Sequence, residues 1–178
     1  MDRVIVSNIT MDRIGAPIFL RLGNRARPFK KDIEKPGIGA MRNITISNVE
    51  ATGAGLTGCA IAGLPQAAIE NVTLSNLRLS FEGGGAKADA DRTVPEKPDS
   101  YPEYSMFGVL PTYGLYCRHV KGLKLLNVQL QLAKADQRRA VFFEDVEDAF
   151  VDSPDISPQM IRLVGVKDVH IRVKDSPK

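Results

Sequence analysis

The sequence predicts an all-β fold: a parallel β-helix solenoid of four to five coils, interrupted by two long loops. Three observations predict it. A β-branched segment with an Asn at its corner recurs along the chain. A second apolar strand follows each copy at a similar distance. Convincing amphipathic helices are absent.

The first segment reads Val4-Ile5-Val6-Ser7-Asn8-Ile9-Thr10-Met11. It returns as Ile44-Thr45-Ile46-Ser47-Asn48-Val49 and as Val72-Thr73-Leu74-Ser75-Asn76-Leu77-Arg78-Leu79. A weaker copy runs from Leu123 to Leu130 around Asn127, and a degenerate fifth from Ile161 to Ile171. Each copy is two short alternating runs separated by a polar corner, the pattern of two strands joined by a tight bend. Asn tolerates the left-handed backbone that such a bend needs. Asn8, Asn48, Asn76 and Asn127, stacked at one corner, are expected to hydrogen-bond their amides into a ladder. The same logic assigns the Asn-x-Thr triplets at Asn8, Asn43 and Asn71 to strand grammar rather than to glycosylation.

The second element appears as Pro17–Leu22, Gly58–Gly63, Gly114–Arg118 and Ala140–Glu144. In each, alternate residues are apolar. The expected inward columns are Ile18, Cys59, Leu115, Val141 and Leu20, Ile61, Cys117, Phe143. Parallel strands about 4.8 Å apart would bury these columns, each member contributing about 1.5–3 kcal/mol. The residues from 140 to 150 are expected to form a short turn of helix at most.

The loops are Gly23 to Ala40 and Phe81 to Thr112, both rich in Gly and Pro. The repeat resumes after each, so the chain, 1–178, is read as one β-helix domain without a break. The part of the second loop from Phe81 to Pro102, with Gly83-Gly84-Gly85 and its prolines, is expected to be the most mobile.

Composition excludes more than it selects. The hydrophobic fraction of 43% and the charged fraction of 25% describe an ordinary globular chain. A net charge of +3, spread rather than striped, gives no footprint for nucleic acid. No apolar run reaches membrane-span length, and Met1-Asp2-Arg3-Val4 opens no signal peptide. Either the chain is cytosolic or its exported front end is missing. Cys59 and Cys117 are read as buried thiols. No cluster of His, Cys and carboxylates has ligand spacing, so neither a metal nor another cofactor is expected.

The repeat Asn43-Ile44-Thr45-Ile46-Ser47-Asn48-Val49, together with Gly114-Leu115-Tyr116-Cys117-Arg118, resembles the coil grammar of glycoside hydrolase family 28, the polygalacturonase-like enzymes. The stretches Gly15–Arg25, Tyr101–Pro111 and Tyr113–Val120 resemble the C-terminal coils of bacterial members. The resemblance covers nearly the whole chain. It implies a right-handed parallel β-helix of the pectin-lyase-like kind, a parent that hydrolyses pectic polymers with inversion, and a secreted or periplasmic setting. The family's catalytic strings resemble Asn-Thr-Asp, Asp-Asp, Gly-His-Gly and Arg-Ile-Lys, and none occurs here. No catalytic residue is therefore carried over. The chain reads as a C-terminal β-helix portion of such a hydrolase, inactive alone. A stand-alone carbohydrate-binding or assembly module is the alternative, as is a hydrolase with rearranged carboxylates.

The candidate binding residues lie on the outward face of the second element. In coil order they are Phe19 and Arg21, Ala60 and Ala62, Tyr116 and Arg118, then Phe142 and Glu144. The two alanines between aromatic and Arg steps suggest a shallow notch. Arg binds carboxylates bidentately and aromatic faces suit sugar rings, so Phe19, Arg21, Tyr116, Arg118 and Glu144 are the expected contacts for an acidic polysaccharide or oligosaccharide. An ordinary charged strand face is the competing reading. Glu144, Asp145, Glu147, Asp148 and Asp152 form either a solvated acidic turn or an acid–base pair on adjacent coils. His119 reads as a structural histidine or as a base. The first coil has no cap in the sequence, and a homodimer through it, or a poorly stable monomer, is expected. Residues 152–178 are expected to cover the other end.

Overall fold

A computed structural model describes residues 1–28 and 30–172. Among the described residues the chain is all-β, with helix limited to one turn, α1 (Lys87–Ala90), and a 3-10 turn at Pro158–Met160. Nine strands follow the chain: β1 (Asp2–Asp12), β2 (Phe19–Arg21), β3 (Arg42–Ala54), β4 (Cys59–Ala62), β5 (Ile69–Phe81), β6 (Thr112–Leu132), β7 (Arg139–Asp152), β8 (Ile161–Val164) and β9 (Lys167–Ile171). They form one parallel sheet, curled like half a barrel. The two loops occupy almost the spans that their breaker residues predict.

Two stacks make up this sheet. One runs β1, β3, β5, the second half of β6, the second half of β7, and β9. The other runs β2, β4, the first half of β6, the first half of β7, and β8. The bends are made at residues with positive φ. Asn8, Asn48, Asn76 and Asn127 have φ of 60°, 53°, 53° and 52°, and Asn43 and Asn71 lie at 56° and 53°. Asn takes this conformation at lower cost than most residues because its short polar side chain bonds locally. The expected ladder is present: Asn48 Nδ2 donates to Asn8 Oδ1 (3.1 Å), Asn76 to Asn48 (3.2 Å), and Asn127 to Asn76 (3.0 Å). A second ladder runs from Asn71 to Asn43 (3.0 Å) and from Asn43 to the carboxylate of Asp2 (2.8 Å). The Asn43 and Asn71 triplets are thus corner residues of the sheet.

The inward columns hold the core. Ile61, Cys117 and Phe143 are in register, as are Cys59, Leu115 and Val141, and all six are buried. Ile44, Val72, Leu123 and Ala149 make a matching column in the other stack. At the edge, among the described residues, β1 pairs only with β3. Its inward residues Val4, Val6, Ile9 and Met11 pack against the core while half-exposed.

One expectation needs correction. Residues 140–150 are strand throughout, within β7, because Ala140 to Phe143 and Val146, Ala149 and Val151 are buried against neighbouring strands. The fifth repeat is two strands joined by a bend, as expected: β8 and β9 meet at Gly165, whose φ of 62° turns the chain, and they join different stacks. The expectation that residues 152–178 cover the last coil falls partly on 173–178, which lie outside the described residues.

Candidate functional site

The strands place the expected binding residues in two outward columns. Phe19, Ala60, Tyr116 and Phe142 are in register, and so are Arg21, Ala62, Arg118 and Glu144. The sequence order of this face is therefore reproduced, but its exposure is not. The long loop folds back over it. Val94, Met106, Phe107 and Leu110 pack with Ala60, Ala62, Tyr116 and Phe142 into a second apolar cluster, with Phe19 at its margin. The notch expected over the two alanines is filled because the loop brings large apolar side chains of its own. A strand face with small residues opposite a Phe is a packing surface.

Arg21 and Arg118 are 8% and 3% exposed, which rules them out as open sugar contacts. Their guanidinium groups fasten the loop instead. Arg21 donates to the carbonyls of Gly63 and Glu96, each at 2.6 Å. Arg118 donates to the carbonyl of Val94 (2.6 Å), and its Nη1 lies 3.2 Å from the Glu96 carboxylate. The Phe107 ring sits between them, 5.4 Å from Arg21 and 5.9 Å from Arg118. Burial, then the like charge of Arg118, depresses the Arg21 pKa. Tyr116 is fully buried and donates its hydroxyl to Glu144. Burial first, and that bond second, hold the phenol far above its ordinary range.

The loop expected to be mobile is fastened by these contacts and by two more anchors. Arg92 donates to the carbonyls of Phe107 (2.9 Å) and Val109, and Lys97 to that of Met106 (2.5 Å). At the loop's roots, Arg138 donates to the carbonyls of Leu56 (2.8 Å) and Leu110 (3.1 Å). The glycines and prolines shape the loop without freeing it.

Most of the carboxylates of the acidic run, and Glu96, are engaged. His119 sits at a corner with φ of 52°; its Nδ1 is 2.6 Å from Asp145 and its Nε2 is 2.9 Å from Glu96. Glu144 accepts from Tyr116, Lys121 lies 3.4 Å from Glu147, and Arg172 donates to Asp152 at 2.7 Å. The acidic run is part of strand β7 rather than a turn after a strand. It alternates strand and corner, with Asp145 and Asp148 at φ of 51° and 55°. Asp136, Arg138, Glu96 and Phe107 carry this architecture, and sequence reasoning missed all four. Only Asp136-x-Arg138 left a trace, as opposite charges two apart.

No protein-family model, curated protein or solved structure matches the chain.

Proposed function

We propose that this chain is a right-handed parallel β-helix of the polygalacturonase-like type, forming a non-catalytic C-terminal portion of a pectin- or polygalacturonan-degrading glycoside hydrolase. Two in-register stacks of parallel strands with Asn corner ladders support the β-helix reading, and the motifs quoted above support the family. The observation that carries the non-catalytic role is the commitment of three carboxylates beside the covered face. Glu96, Glu144 and Asp145 are bonded to Arg118, Tyr116 and His119 beneath or beside the loop. An inverting hydrolase needs two carboxyl groups about 6.5–9.5 Å apart with water and sugar between them. A face packed with Phe107 leaves room for neither.

The test is release of reducing ends from polygalacturonate and rhamnogalacturonan by the purified chain. The expected result is none above background. Turnover that disappears in Glu144→Gln or Asp145→Asn would reject the proposal in favour of a rearranged acid–base pair.

A second reading, a carbohydrate-binding module, is favoured by one observation. The outward face is covered over its first rungs but stays open at the last, where two arginines line a concavity.

A further inference from the structure

We infer that the concavity around Arg139 and Arg162 binds a carboxylated sugar; the inference rests on the proposed function for the identity of that sugar, galacturonate. The register places Arg162 next after Phe142 in the outward column. Here the loop leaves part of the sheet open: its own α1 and Pro111 form one wall, β7 and β8 the floor, and a space of about 690 Å³ remains. Ligand pockets span about 300–1,000 Å³.

The two guanidinium groups are held in place but not used up. Arg162 lies over the Phe142 ring, 4.4 Å from its centroid, and its Nη1 donates to the Ala90 carbonyl at 2.8 Å. Arg139 Nη1 donates to the carbonyls of Gln159 (3.0 Å) and Ile161 (2.9 Å). Among the described residues, no acceptor takes the Nε or Nη2 of either arginine, and no carboxylate lies within salt-bridge distance of either. This sets them apart from Arg118, Arg138 and Arg172, which all have carboxylate partners. A guanidinium fixed by one nitrogen loses little further freedom when it binds, and its planar fork matches a carboxylate.

The rest of the lining suits a sugar ring. Lys87 adds a third cation, against the single carboxylate of Asp91. Gln137 offers an amide for hydroxyl groups, and Ile161 and Leu163 offer apolar surface to a ring face. Leu163 is 42% exposed, so that surface is accessible.

The test titrates the full chain with digalacturonate, with neutral galactobiose, and with acetate as a competitor, followed by calorimetry and NMR. Arg139→Gln and Arg162→Gln are compared with the unaltered chain, and Lys87→Gln serves as a third variant on an exposed side chain. The expected result is binding of digalacturonate, weakened about tenfold or more by either arginine substitution, with no binding of galactobiose. Equal binding of galactobiose, or competition by acetate as strong as by digalacturonate, would overturn the inference. Digalacturonate binding that survives all three substitutions would reject this site yet leave the proposed function standing. Binding of glucuronate disaccharides instead, lost in both arginine variants, would uphold the site and reject the pectic reading.

Discussion

Arg138 and Asp136 form a bidentate ion pair with both side chains closed off from solvent, at 1% and 0% exposure. Arg138 Nε and Nη2 donate to the two carboxylate oxygens at 3.0 and 2.7 Å. The carboxylate also accepts from the backbone N–H of Gly85 (2.8 Å), which ties the root of the loop to the turn before β7. A Cβ on Gly85 would meet Arg138 Nε at 2.1 Å, so the approach depends on glycine.

Removing one partner of this pair strands a buried charge. Arg138→Ala is expected to cost about 3–5 kcal/mol, because Asp136 would keep its desolvation without its counter-ion. Urea unfolding gives the value. A loss under about 1 kcal/mol would mean that water enters the site and that the pair is not enclosed.

The same pair sets an acid limit. Burial alone would raise the Asp136 pKa, but bonding to Arg138 and to the Gly85 N–H overrides it, and the carboxyl sits below its ordinary value. Its contribution is therefore present above the unfolded carboxylate pKa, about 3.9, and is lost as pH falls through the lower folded value. Unfolding midpoints measured from pH 6 downward should fall below about pH 4, and less so in Asp136→Asn. An identical acid limb in both proteins would assign it to other carboxylates.

Asn48 separates backbone strain from ladder bonding. Its φ is 53°, and its amide both donates to Asn8 and accepts from Asn76. Asn48→Gly keeps the conformation and loses the bonds; Asn48→Ala loses both. The alanine variant is expected to be less stable than the glycine variant by about 1–2 kcal/mol, the cost of left-handed backbone in a residue with a Cβ. Equal melting curves for the two would show that the corner relaxes when the amide is removed.

The sequence made the repeating parts legible and the loop opaque, for a physical reason. Asn8, Asn48, Asn76 and Asn127 stack because each rung solves the same local problem, so the solution recurs in the chain and can be read. Cys59, Ile61, Cys117 and Phe143 follow the strand period of two and face inward as expected. The outward column of Phe19, Arg21, Tyr116 and Arg118 was placed correctly, but what covers it was not foreseen. Phe107 and Glu96 lie in a segment without period, and their partners are far from them in sequence. Strand periodicity fixes which way a side chain points, not what a loop later lays over it.

Thiol reactivity reports on the core columns. Cys59 and Cys117 are fully buried in the adjoining Cys59–Leu115 and Ile61–Cys117 columns. Burial, opposed by a backbone hydrogen bond at Ile18, pushes the Cys59 thiol up to about 12, and burial raises Cys117 well above its ordinary value. Since the thiolate is the reactive form, both should be silent to a thiol reagent at pH 8 until urea unfolds the chain. Prompt labelling of either in the folded protein would place it outside the core.

Phe107 is the test of how the loop is held. Its ring packs with Ala60, Ala62 and Tyr116 and lies between the guanidinium groups of Arg21 and Arg118. Phe→Ala at a buried site costs about 3–5 kcal/mol when the surroundings cannot collapse. Here the loss should fall mainly on the loop, because the strand stacks have a separate apolar core. Phe107→Ala is therefore expected to speed protease cleavage within residues 91–105 severalfold, while the urea midpoint of the sheet moves less. The opened face would then expose Arg21 and Arg118, the pair that the sequence marks as carboxylate ligands. A variant with the whole chain destabilised and no preferred cleavage in the loop would show instead that loop and sheet unfold as one unit, and that Phe107 belongs to a single shared core.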